Sequence, residues 1–145
     1  MKLEIIHQSR QFDIYGFGAI ALEKDYAGTA FQLMDKMWQT VRKNALKNKG
    51  MNIWVYESGD RVFAGVELEE APNLDTGLEL KIINLPKYAY YKHIGPYPLI
   101  KQSGQKMESE LKEQGFEIIP PYIEIYGHWT NDETKLETEL LMGLK

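Results

Sequence analysis

Two stretches of the chain alternate without turning polar on either face. Ile53-Trp54-Val55-Tyr56 sets aliphatic against aromatic residues, and Tyr122-Ile123-Glu124-Ile125-Tyr126 does the same with a carboxylate among its aromatics. Successive side chains of a strand point to opposite faces, so each stretch presents one aliphatic and one aromatic face. A strand with a solvated side would be polar there. Both faces are therefore expected to be covered, the aliphatic one by helices and the aromatic one by something else. A cavity for a flat, apolar, even cationic molecule would satisfy the second.

Two segments carry helical periodicity. Phe31, Met34, Trp38, Val41 and Ala45 recur at helical spacing between Thr29 and about Asn48, with Gly50 as a stop. Leu99, Ile100, Ser103, Met107 and Leu111 trace a second stripe from Pro96 to about Gln114, with Pro96 in the first turn and Gly115 at the C-terminal cap. Gly104 inside this helix costs local stability, and close packing against another element would explain it. The rest reads as strands: 3–17, kinked near Gln8–Gln11, then 52–56 and 61–68 around the turn Glu57-Ser58-Gly59-Asp60, 78–94 interrupted at Leu85-Pro86, 117–129 and 138–144. Residues 69–77, with Pro72, Asn73 and Asp75, read as a linker.

The order strand, helix, strand, strand occurs twice, in halves of about 1–70 and 78–145. Over the first strand the halves superpose at one constant offset: Leu3 falls on Leu80, Ile5 on Ile82, Ile6 on Ile83 and Gly18 on Gly95. Further on gaps are needed, and Trp54 falls on Glu124. Duplication of a helix-covered antiparallel unit predicts an α+β fold with pseudo-two-fold symmetry and a cleft where the halves meet. A length of 145 residues fits one such domain.

A net charge of −4 and a pI near 5.4 argue against a nucleic-acid binder. Lys43, Lys47 and Lys49 cluster where a helix dipole already favours cations. There is no cysteine, hence no disulfide and no thiolate site. The N-terminus lacks a signal-peptide core and no apolar run approaches membrane-spanning length, so a cytoplasmic protein is expected. His7, His93 and His128 lack metal-ligand spacing, Gly16-Phe17-Gly18 opens no phosphate loop, and Ser58 and Ser103 sit in no nucleophile motif. No metal and no cofactor are expected.

Glu124 is the candidate functional residue. A carboxylate between two tyrosines on an interior strand is costly unless hydrogen-bonded, and desolvation tends to raise its pKa. It would attract a lipophilic cation, with Trp54, Tyr56, Tyr122 and Tyr126 supplying ring faces, or act as a general acid or base beside a tyrosine hydroxyl. By pattern alone the plainer reading, a half-exposed glutamate at a strand edge, stands ahead. In Lys87-Tyr88-Ala89-Tyr90-Tyr91-Lys92-His93, Tyr88 and Tyr90 are expected on the open face and Tyr91 in packing. Trp38 reads as core, and Trp129 as either a cavity rim or simple packing.

Leu85-Pro86-Lys87-Tyr88-Ala89, His93-Ile94-Gly95-Pro96-Tyr97, Gly115-Phe116-Glu117, Pro120-Pro121-Tyr122-Ile123-Glu124-Ile125-Tyr126 and a final Thr138-Glu139-Leu140 strand resemble the GyrI-like (gyrase-inhibitor-like) effector-binding domain, also the ligand-sensing half of AraC-type and MerR-type multidrug-responsive transcription regulators. The second half matches in motifs and the first mainly in element order. The resemblance implies the same duplicated fold and the binding of bulky, often cationic aromatic compounds in the cleft, with the family's acidic residue at Glu124. Trp54, Tyr56, Tyr90, Tyr122, Tyr126 and Trp129 are the aromatic candidates around it. The closing Leu140-Leu141-Met142-Gly143-Leu144 departs from the family's usual Ile-x-Ile-Pro-Val and leaves the register open. With 145 residues given to this domain there is no room for a helix-turn-helix, so a stand-alone sensor or sequestering protein without direct nucleic-acid or membrane contact is expected. Two alternatives come with the resemblance: a hydrolase of reactive cyclopropane-bearing genotoxins, with Glu124 activating water beside Tyr126 or Tyr90, and a gyrase inhibitor acting on a protein partner through an acidic surface.

Overall fold

A computed structural model describes residues 1–145. Eight strands form one antiparallel sheet: β1 (Glu4–Ile6), β2 (Arg10–Ile20), β3 (Ile53–Glu57), β4 (Arg61–Val66), β5 (Glu79–Leu85), β6 (Tyr88–Ile94), β7 (Ile118–Tyr126) and β8 (Glu137–Leu144). Helix α1 (Tyr26–Lys43) follows β2 and helix α2 (Ile100–Glu113) follows β6. The sheet order β1-β6-β8-β7-β3-β4-β2-β5 reads the same from both ends once β1 is matched to β5, β2 to β6, β3 to β7 and β4 to β8. The duplicated unit is therefore present, with its first strand broken in two. In each half the leading piece crosses to the other half: β1 pairs with β6 and β5 with β2.

The aliphatic face is covered differently from the sequence expectation. No helix lies on it. One core cluster runs across it from Phe12, Ile14, Ile83 and Leu85 at one end of the sheet, through Val55 and Ile123, to Tyr88 and Leu141 at the other. The exchanged edge strands curl the sheet, and the face closes on itself. Both helices flank the aromatic face instead: α1 packs on β2 and β4, α2 on β6 and β7. Between them, over the paired β3 and β7, that face opens into a cleft.

Helix α1 starts earlier than its periodicity predicts because Asp25 caps it, accepting the Gly28 N–H at 3.1 Å. It ends at Lys43, ahead of Ala45, which has a φ of 49°. Its buried residues are Ala30, Met37 and Val41. Phe31, expected in the core, lies on the flank facing the cleft and is 60% exposed. Trp38 is half-buried, and its indole N–H donates to Asn52 Oδ1.

Two glycines separate backbone need from its absence. A Cβ on Gly16 would lie 1.9 Å from the Ala64 carbonyl oxygen of the neighbouring strand. A Cβ on Gly104 would meet only the Tyr122 hydroxyl, at 3.8 Å, so the close packing expected there is absent. Urea denaturation of Gly16→Ala should show a loss of about 1–3 kcal/mol, the usual range for overpacking. Gly104→Ala should gain about 0.5–1 kcal/mol as a helix-interior replacement.

Candidate functional site

The strand register assembles the site. Trp54 and Glu124 face each other across β3 and β7, as do Tyr56 and Tyr122. Residues i and i+2 of a strand share a face, so Tyr122 and Tyr126 flank Glu124 on its own strand. On β8, Leu140 is the partner of Glu124, which settles the register left open by the unusual C-terminus. Gly143 belongs to that solution: β7 shifts register between Ile118 and Tyr122, and a Cβ on Gly143 would lie 2.5 Å from the Ile119 carbonyl oxygen.

Glu124 is 7% exposed, so it is an interior group and not a strand-edge glutamate. Its carboxylate accepts three hydroxyl hydrogen bonds. Tyr122 donates to Oε2 at 2.8 Å, and Tyr126 at 2.8 Å and Tyr56 at 3.2 Å donate to Oε1. No lysine, arginine or histidine forms an ion pair with it. Hydrogen bonds to an ionised acceptor are the stronger kind. The rings lock one another: Tyr56 stacks on Tyr122 (centroids 5.6 Å apart, 25° between planes), and Trp54 meets Tyr126 edgewise at 4.8 Å.

Above these residues, between the helices, opens a cavity of about 1520 Å³. Glu124, Trp54, Tyr56, Tyr122, Tyr126 and Trp129 all line it, Trp129 as a 75% exposed residue. Tyr90 is not brought there. It stands opposite Leu141, which stands opposite Ile123, placing Tyr90 on the aliphatic face, where its hydroxyl donates to Glu139 at 2.7 Å. Tyr88 is buried on that same face, and Tyr91, opposite Leu140, shares the face of Glu124. The expected parity of the three tyrosines is thus reversed. Tyr26 and Tyr97, neither of them among the aromatic site candidates although Tyr97 closes the Gly95-Pro96-Tyr97 motif, also line the cavity. Each begins the helical segment of its half and meets that half's central-strand tyrosine edgewise, Tyr26 against Tyr56 and Tyr97 against Tyr126.

Burial, the neighbouring Glu124 charge and the hydrogen bonds to it push the phenols of Tyr56, Tyr122 and Tyr126 far above their ordinary value of about 10. The folded state thus holds these protons more tightly than the unfolded state. Their contribution to stability is complete below pH 10 and shrinks as pH rises above it. Urea midpoints measured between pH 8 and 11 should fall above pH 10, and fall less steeply in Tyr56→Phe. Absorbance at 295 nm should show these three phenols ionising only on unfolding.

No helix is long and apolar enough to cross a membrane. No curated protein matches the chain by sequence. Among solved structures, it is similar to the EcmrR C-terminal domain, with a TM-score of 0.75 and 14% identity over 99% of this chain and 96% of that one. It is similar to SAV2435 bound to tetraphenylphosphonium, with a TM-score of 0.62 and 18% identity over 100% and 94%. A hydrolase from Listeria innocua follows at a TM-score of 0.58 and 12% identity over 99% and 92%. Identities this low establish the fold alone. The family model of the GyrI-like small molecule binding domain matches residues 17–145, nearly the whole duplicated fold described above, and this chain belongs to that family.

Proposed function

We propose that the chain, acting as one binding unit over residues 1–145, takes bulky hydrophobic cations with aromatic rings into the cleft, for sensing or sequestration. Membership of the family makes it a small-molecule binding domain. The finer reading rests on one observation: a 7% exposed carboxylate without a cationic partner lies beneath an aromatic-lined cavity. A unit cation about 4 Å from such a group gains about 4 kcal/mol at an effective dielectric near 20. Ring faces add about 0.5–2 kcal/mol. A neutral ligand of the same shape gains only the burial. The phosphonium-bound neighbour supports the same ligand class.

A second reading uses the same carboxylate. Oε2 accepts from a single tyrosine and so keeps room for a water proton, and one structural neighbour is a hydrolase. Glu124 would then activate water against an electrophilic ligand, with the Tyr126 hydroxyl beside it.

Titration with tetraphenylphosphonium, followed by tryptophan fluorescence, should be saturable. Glu124→Gln should weaken it at least tenfold, which is about 1.4 kcal/mol, and leave neutral triphenylphosphine oxide within twofold. Equal losses for both compounds would make Glu124 a structural group, and no binding by either would overturn the proposal. Mass spectrometry after incubation with a cyclopropane-bearing alkylator tests the second reading. A hydrated product that disappears in Glu124→Gln would make the protein an enzyme.

A further inference from the structure

We infer that the cleft is charge-asymmetric by construction and selects monocations that carry a neutral aromatic extension, with the cationic end over Glu124 on the α2 side and the uncharged rings over Trp54 on the α1 side. This rests on the binding reading above and names its ligand class more closely. The observation behind it is the pairing of Trp54 with Glu124. They are equivalent residues of the two halves and stand directly opposite each other at the seam of the sheet. Exact symmetry would place two carboxylates or two indoles there. The chain has one of each.

The surrounding charges follow the same division. On the α2 side Glu108 also lines the cavity and forms no ion pair, so Glu108 and Glu124 together outweigh Lys101. On the α1 side the carboxylates are engaged: Asp25 caps its helix, and Glu57 holds Lys81 at 2.6 Å. Lys24 lines that end as well, and Phe31 and Met34 extend its apolar surface. An indole attracts a cation through its ring face, but more weakly than a carboxylate does, so a single cation goes to Glu124. A second would be desolvated beside Lys24 without a free anion to meet it. Space is not limiting, because about 1520 Å³ exceeds the roughly 300–1,000 Å³ of a usual ligand pocket.

Two probes with the same short linker and one N-methylquinolinium ring separate the possibilities. In the first the other ring is naphthalene, and in the second it is another N-methylquinolinium. Calorimetry on the unmodified protein should give at least tenfold tighter binding of the monocation. Trp54→Glu should shift the ratio at least tenfold toward the dication, and Trp54→Phe should preserve it. Intermolecular NOEs should place the naphthalene on Trp54, a readout that stands even if Trp54→Glu does not fold. A dication that binds the unmodified protein as tightly as the monocation, or naphthalene NOEs to Tyr97 on the α2 side and not to Trp54, would overturn the inference. If the monocation still depends tenfold on Glu124, the binding reading survives that result. If neither probe binds, both fall.

Discussion

The pairing of β3 with β7 is the contact on which the rest of the molecule depends. It joins the two halves through equivalent strands, so that one strand of each half lies at the centre of a single sheet. The helices lie to either side of that centre, α1 over β2 and β4 and α2 over β6 and β7, and a cleft opens between them. This is possible because the opposite face needs no helix. The exchanged strands β1 and β5 curl the sheet until its aliphatic side is closed by its own strands. Burial on one face therefore releases both helices to wall a cleft on the other.

Holding a carboxylate at the floor of that cleft is costly. Desolvation of an ion amounts to several kcal/mol even after relaxation, and no cation offsets it here. Three tyrosine hydroxyls do so in part, at about 1.5–3 kcal/mol for each hydrogen bond to a charged group. Because those hydroxyls come from both β3 and β7, the carboxylate also ties the halves together. The hydroxyls occupy most of the acceptor sites of Glu124 but carry no positive charge, so the site keeps its field.

Much of this was legible in the alternation of residues. Trp54 and Tyr56 share one face of their strand, and Tyr122, Glu124 and Tyr126 share one face of theirs, because a strand has period two, and no tertiary information is needed to see it. The duplication was legible for the same kind of reason, since Leu3, Ile5 and Ile6 fall on Leu80, Ile82 and Ile83 at one offset. Facing partners were not legible. The parity of Tyr88, Tyr90 and Tyr91 was clear, but which parity meets the cleft depends on the pairing of β6 with β8 and of β8 with β7. Curvature was equally hidden. A sheet that closes on itself and one covered by helices ask for the same aliphatic face, so the helices were placed on the wrong side. Phe31 shows the limit for helices: its spacing fits the apolar stripe, yet a stripe beside a cavity includes residues that face the cavity.

The divergence of one residue pair explains how a symmetric scaffold holds an asymmetric charge. Side chains directly opposite in an antiparallel pair have Cβ atoms about 4.5–5.5 Å apart. Two carboxylates at that distance in a buried place repel, and one of them would retain its proton. In the empty cleft, duplicating Glu124 would therefore add much desolvation and little charge, and the second carboxylate would ionise fully only against a bound dication. Two indoles would pack well but provide no field for a cation. Trp54 opposite Glu124 avoids both outcomes. The indole gives the carboxylate an apolar neighbour that lowers the local dielectric without competing for its lone pairs, and the tyrosines from the two strands remain free to donate to it.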